Sequence, residues 1–258
     1  MKRLLATFLA ALVSVPVSVQ ADEVTEIRKL EEFERKSDKS YLLLRVLEPG
    51  GKIPSVLPIL LRVPTQAERS QYDSAVAADP ERAKTFDDVT NLNGIKANRQ
   101  LMKLKEERTY LVEITPGDYV LYGLTASPRL HFNVCLCLGT VGFEAKAGQV
   151  IDLGTFLSGG ARWESPFPEL ADLTNMGPSS DTGMVTWVSA IRPNESAATT
   201  AELRALSPVR AKYHAVGRFI DPRAYYAVYL PAIPGISSYR NGRVFDEQTG
   251  EIVPDRLD

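Results

Sequence analysis

Short runs of β-branched, aromatic and aliphatic residues, separated by Pro, Gly and Asp, recur along most of this chain, and they set its predicted elements. The first run, Tyr41 to Leu47, is apolar except for Arg45 and closes on Glu48-Pro49-Gly50-Gly51, whose Pro and Gly favour a turn over further ladder pairing. A second strand is expected at Leu57 to Val63. Arg108 to Thr115 alternates polar and apolar, Pro116-Gly117-Asp118 supplies turn chemistry, and Tyr119 to Leu124 returns, which predicts a hairpin. Further strands fit His131 to Leu138, Thr140 to Ala145, and Gln149 to Phe156 after the turn at Lys146-Ala147-Gly148.

Two stretches break this rhythm. Between 64 and 105 the segment Gln66 to Lys84 is rich in Ala, Glu, Arg and Gln and predicts one or two short helices, interrupted at Asp79-Pro80. From Ser158 to Ser180 the chain is punctuated by Gly, Pro and Ser and reads as a long surface segment. Beyond it, strands are expected at Met184 to Ile191 and Ala211 to Ile220, with a short helix at Ala201 to Leu206 closed by Pro208. A hairpin or tail follows around Glu247 to Gly250. Near the start, Ile27, Leu30 and Phe33 recur at spacings of three in a charged lead-in over 22–40, as a short amphipathic helix or a solvated segment would. The expected organisation is a β-sandwich core over 41–157 with a helical insertion at 64–105, and a C-terminal β/loop extension over 158–258.

The first residues have a different character. Lys2 and Arg3 precede an apolar run from Leu4 to Val19, and Val19-Gln20-Ala21 places small residues where a signal peptidase reads them. The run holds about 16 residues and contains Pro16, whereas a spanning helix needs about 20. Residues 1–21 are therefore expected to be a signal peptide cleaved after Ala21, and the mature protein to be periplasmic or secreted. Without Lys2 and Arg3, the 30 basic residues fall to 28 against 32 acidic ones, with no basic block to track a phosphate backbone. Nucleic acid is not an expected partner, and no later apolar stretch predicts an integral membrane segment.

Candidate chemistry is sparse. Cys135 and Cys137 are the only cysteines. In an oxidising compartment a local disulfide is the first reading, although two residues along a strand span about 6.6 Å, and a bridge there requires a bend or bulge. Free structural thiols, pairing between chains and a two-thiolate metal site stay open, with His131 the nearest further ligand. His131 and His214 are the only histidines and so the natural general bases, yet no G-x-S-x-G, S-x-x-K or H-E-x-x-H pattern accompanies them. No catalytic, cofactor or complete metal motif is present. The aromatic cluster Tyr213, Phe219, Tyr225, Tyr226 and Tyr229 fits sheet packing or a recognition surface.

The stretch Thr115-Pro116-Gly117-Asp118-Tyr119, followed by Phe143-Glu144-Ala145-Lys146-Ala147-Gly148 and a strand running through Gly154-Thr155, resembles the uncharacterised exported β-sandwich proteins of proteobacteria. The resemblance implies an antiparallel immunoglobulin-like or transthyretin-like sandwich and no catalytic residues. The expected function is a non-enzymatic envelope module that binds another envelope protein through a sheet edge or the loops at one end. A periplasmic hydrolase or metal-dependent enzyme using His131 or His214 is the alternative, and a small-ligand or metal carrier is the third.

Overall fold

The computed structural model describes residues 24–47, 57–79, 92–94, 99–104, 106–125, 133–160, 167–171, 187–219 and 226–255. The expected signal segment and His131 lie outside them. Strands come first as β1 (Thr25–Ile27), β2 (Ser40–Leu47), β3 (Leu57–Arg62), β4 (Leu92–Gly94), β5 (Met102–Leu104) and β6 (Glu107–Ile114). They continue with β7 (Gly117–Thr125), β8 (Asn133–Cys135), β9 (Thr140–Ala145), β10 (Val150–Gly160), β11 (Trp187–Arg192) and β12 (Val209–Arg210). The last are β13 (His214–Val216), β14 (Tyr226–Ala227), β15 (Ser237–Arg240), β16 (Arg243–Asp246) and β17 (Glu251–Ile252). Helices are few: α1 (Gln66–Ala78), α2 (Pro168–Ala171) and α3 (Ala201–Ala205).

The described chain is mainly β, built as two larger sheets and one small one. The first sheet runs β1-β6-β2-β10-β11, with β5 also on β6 and β12 also on β10. The second runs β13-β9-β7-β3-β4, with β8 on β7 and β14 on β8. Pairing is antiparallel except where β10 lies parallel to β2 and β12, and β14 to β8. One core joins the two sheets: Leu42, Leu44, Val46, Tyr110, Val112, Ile114 and Phe156 from the first meet Leu57, Leu60, Tyr119, Leu121, Val141 and Phe143 from the second. Phe143 stacks on Tyr119 at 5.8 Å and meets Tyr213 edge-on at 5.8 Å. Such aromatic pairs add about 0.5–1.5 kcal/mol each beyond their buried area.

The unbroken apolar run of β2 has its explanation in the other face of the first sheet. Tyr41 and Leu43 point away from the inter-sheet core, yet they are fully buried by Leu203, Ala197 and Ala198. Ile27, Leu30 and Phe33 pack onto the same cluster, while the charged residues between them stay exposed. The spacing of three in this lead-in is a single 3-10 turn at Leu30–Glu32 behind β1. A strand covered on both sides needs no polar face, hence continuous hydrophobicity instead of alternation.

The expected hairpin across Pro116-Gly117 is corrected by the topology. β6 pairs with β1, β2 and β5, while β7 pairs with β3, β8 and β9, so the two strands belong to different sheets. Tyr110, Val112 and Ile114 face Tyr119 and Leu121 across the core, which buries both inner faces; hydrogen bonding to each other would leave that arrangement impossible. The turn is an arch between layers, tied by Tyr119 Oη donating to the Thr115 carbonyl at 2.7 Å. The segment at 146–148 makes a similar passage, from β9 in the second sheet to β10 in the first.

Helix α1 begins on a reciprocal cap. The Glu68 amide donates to Thr65 Oγ1 at 3.2 Å, and the Thr65 amide donates back to Glu68 Oε2 at 2.7 Å. Arg62, at the end of β3, adds two hydrogen bonds to the same carboxylate at 3.1 and 2.7 Å. Those bonds, with the cap, hold the Glu68 carboxyl down at about 2, well below its unfolded value. The stabilisation is therefore complete above about pH 4.5 and disappears as pH falls towards 2, amounting to about 1 kcal/mol after allowance for solvent screening. Thermal unfolding of wild type and Glu68→Gln from pH 6 to pH 2 is expected to show a gap that closes on acidification; a constant gap would refute the linkage.

Candidate functional site

A charged row crosses the outer face of the first sheet. Register aligns Met102, Thr109, Arg45, Thr155 and Arg192 on five adjacent strands, and directly opposed residues share a face. Arg45 is 9% exposed, lying in a strand whose neighbours are fully buried. Its Nε donates to Thr155 Oγ1 at 3.0 Å, one guanidinium nitrogen lies 3.5 Å from Glu107 Oε2, and the other bonds Glu195. Arg192 lies 3.3 Å from the other Glu195 oxygen and grips Glu169 on α2 through two bonds of 2.7 and 3.0 Å. It also sits 5.2 Å from the Phe167 ring centre. These hydrogen bonds pull the Glu169 carboxyl below its ordinary value and raise the Arg192 guanidinium above its own. A buried ion pair is weak evidence for net stability, but removing one partner strands the rest.

Next to the row, Asp152 is 3% exposed. Its Oδ1 accepts from the amides of Gly154 at 2.9 Å and Ala197 at 3.0 Å, and Oδ2 accepts from Ser196 Oγ. The Ser196 oxygen in turn accepts the Ala198 amide at 3.1 Å. This Ser–Asp contact is a clasp: the hydroxyl proton is given to a carboxylate and its oxygen is engaged by main chain, which leaves no activated nucleophile. With Thr155 donating to the Glu195 carbonyl at 3.2 Å, the clasp fastens the segment Pro193–Thr199 over the sheet, where Ala197 and Ala198 seal Tyr41 and Leu43. A lone Arg and a lone Asp inside apolar strands were the readable signal for these residues, since such groups are seldom buried unless paired.

Cys135 and Cys137 lie on the second sheet. Their Cα atoms are 5.1 Å apart, closer than an extended strand allows, and the two sulfurs face each other. β8 stops at Cys135, so the expected strand to Leu138 ends early in a turn where the Gly139 amide donates to the Leu136 carbonyl at 3.3 Å. Both cysteines are buried with Ile59 and Tyr122, under Phe219. His214 lies exposed on β13, opposite Gly142, in a different sheet from the Ser196–Asp152 clasp. Among the described residues no three His, Cys, Asp or Glu side chains converge as a metal site would require, and no helix is long and apolar enough to cross a membrane.

Of the aromatic cluster, the described side chains Tyr213, Phe219 and Tyr229 do not share one surface. Tyr213 is buried in the inter-sheet core, its hydroxyl donating to the Leu153 carbonyl at 2.9 Å, and burial pushes its pKa well above the ordinary value. Phe219 leans on Tyr122, and Tyr229 meets Tyr239 edge-on at 4.8 Å. Tyr226 is in β14, and Tyr225 lies outside the described residues. Large exposed apolar side chains among the described residues are Leu104, Val209 and Ile252, on three separate strands.

What remains as an interaction element is main chain. β11 ends the first sheet, is six residues long, and among the described residues pairs only with β10. Every other strand at the end of a described sheet is four residues or shorter. Natural edges are usually blunted by Lys, Pro or bulges, and Trp187 to Ile191 contains no charge and no proline. No family model, curated protein or solved structure matches this chain.

Proposed function

We propose that this protein is an exported, non-enzymatic module of the cell envelope that binds an extended segment of another envelope protein along the outer edge of β11. The observation that carries the reading is that edge: a six-residue strand that among the described residues has β10 on one side and no strand on the other, at the end of a sheet whose other terminal strands are short. Strand addition takes its affinity from main-chain hydrogen bonds, and so needs no large apolar patch. Among the described residues the exposed large apolar side chains, Leu104, Val209 and Ile252, are scattered, which counts against binding through an apolar face. Arg45 and Arg192, the latter at the end of β11, are each held by carboxylates, which supports a rigid scaffold.

A photo-crosslinking amino acid introduced at Val188, in signal-bearing protein expressed in its own cells, is expected to capture one reproducible envelope protein. The same probe at Ile252, on the two-residue edge of β17, is expected to capture none. Equal capture from both positions, or recovery of uncrosslinked protein alone from Val188, would overturn the reading.

A further inference from the structure

We infer that the Cys135–Cys137 pair is a redox latch that holds the C-terminal extension on the second sheet. The five residues Cys135 to Gly139 bind the part of that extension that runs from Phe219 through Tyr239. The Cys135 carbonyl accepts the Val228 amide at 2.9 Å, and the Cys137 carbonyl accepts the Phe219 amide at 3.0 Å. The Leu138 amide donates to the Val228 carbonyl at 3.3 Å, and the Gly139 carbonyl accepts the Leu230 amide at 3.1 Å and Tyr239 Oη at 3.2 Å. Tyr239 belongs to β15, so the small sheet β15-β16-β17 is anchored at the same point. The close approach there is strict: a Cβ on Gly139 would lie 2.4 Å from Val244 Cγ2.

All these acceptors are aimed by one bend, and the bend is what a bridge two residues apart requires. With the Cα atoms 5.1 Å apart the segment cannot be extended strand. Joined sulfurs remove the extended alternatives, in which the carbonyls of Cys135 and Cys137 would point along one direction of the ladder. The bridge closes a loop of only three residues and so constrains the unfolded chain little. Its effect is local, on the one turn that carries the extension.

Reduction by a dithiol is balanced as two exchange steps. A reductant thiolate attacks one sulfur, the S–S bond breaks, and the other cysteine leaves as thiolate and takes a proton. The second reductant thiol then displaces the remaining cysteine, which also takes a proton, and the reductant becomes a disulfide. Because both cysteines are buried, attack follows transient opening of the turn.

The test is hydrogen exchange read by mass spectrometry on the mature protein, oxidised and after treatment with a dithiol reductant, with thiol alkylation to count free cysteines. Protection of amides in 226–255 is expected to fall roughly tenfold on reduction while β2 and β6 amides keep theirs. The variant Cys135→Ser/Cys137→Ser is expected to match the reduced protein; should it fail to fold, the reductant titration of wild type decides alone. Two alkylatable thiols in unreduced protein, or equal loss of protection in β2 and in 226–255, would overturn the latch.

Discussion

Replacing Asp152 with alanine is expected to lower stability by about 4 kcal/mol, a fall in Tm of roughly 10 °C for a chain of this size. The carboxylate accepts from two amides and one hydroxyl while 3% exposed, and alanine would leave the Gly154 and Ala197 amides buried without a partner and take the acceptor from the half-buried Ser196 hydroxyl. An unsatisfied buried polar group costs about 1–3 kcal/mol, and here the losses share one place. The segment Pro193–Thr199 would also lift from Tyr41 and Leu43, exposing apolar surface. Asp152→Asn separates these contributions. Its amide oxygen can still accept both amides, and its NH2 can donate to the Ser196 oxygen, so a loss of about 1–2 kcal/mol is expected. Differential scanning calorimetry of the two variants checks the assignment, and losses of equal size would show that the acceptor pattern is not what matters.

Gly154→Ala is expected to be comparably severe, for a reason unrelated to hydrogen bonding. Gly154 sits at φ +81° in the bulge where the register of β10 against β2 shifts between Asp152 and Thr155. A Cβ there would lie 2.5 Å from the Arg192 carbonyl oxygen and 2.9 Å from Pro193 Cα, both main-chain atoms of the adjoining strand end. Positive φ strain of about 1–3 kcal/mol then adds to overpacking of about 1–3 kcal/mol, giving a loss of about 3–5 kcal/mol. Gly148→Ala is the matched control, with φ +71° but nothing nearer than 3.7 Å. It should lose only about 1 kcal/mol. If thermal unfolding gives the two glycines the same loss, the close approach of β11 to the bulge is not the cause.

The elements were readable where local chemistry alone decides them. β2, β3, β9 and β10 carry β-branched and aromatic runs bounded by Pro or Gly, and each begins within one residue of its expected start. The pairing of those strands was less legible, because a tight turn followed by a second alternating run reads alike whether the strands bond side by side or face each other across a core. Pro116-Gly117 is that ambiguity made concrete: only the coverage of both β6 and β7 by other neighbours shows which occurs. The capping box Thr65–Glu68 was fully present as Thr-x-x-Glu and marks the helix start. The charge row and the clasp beside it were visible only as isolated Arg45 and Asp152 in apolar strands, since the register of the sheet joins residues far apart in the chain.

That distance has a kinetic consequence. Arg45 and Thr155, hydrogen-bonded neighbours at the middle of the first sheet, are separated by 110 residues. β2 leads the chain's core, yet one of its two flanking strands is β10, which is made only after β3, β7 and β9 of the second sheet. Loop closure of that length must precede the contacts that reward it, so the first sheet is the slow step of assembly. Until β10 arrives, β2 exposes an apolar strand with one open ladder, the kind of intermediate that aggregates when crowded. The exposure of Tyr41 to Leu47 lasts until Val150 to Leu157 pairs with it, and a holdase that covers that single strand during the wait is expected to raise the yield of folded protein.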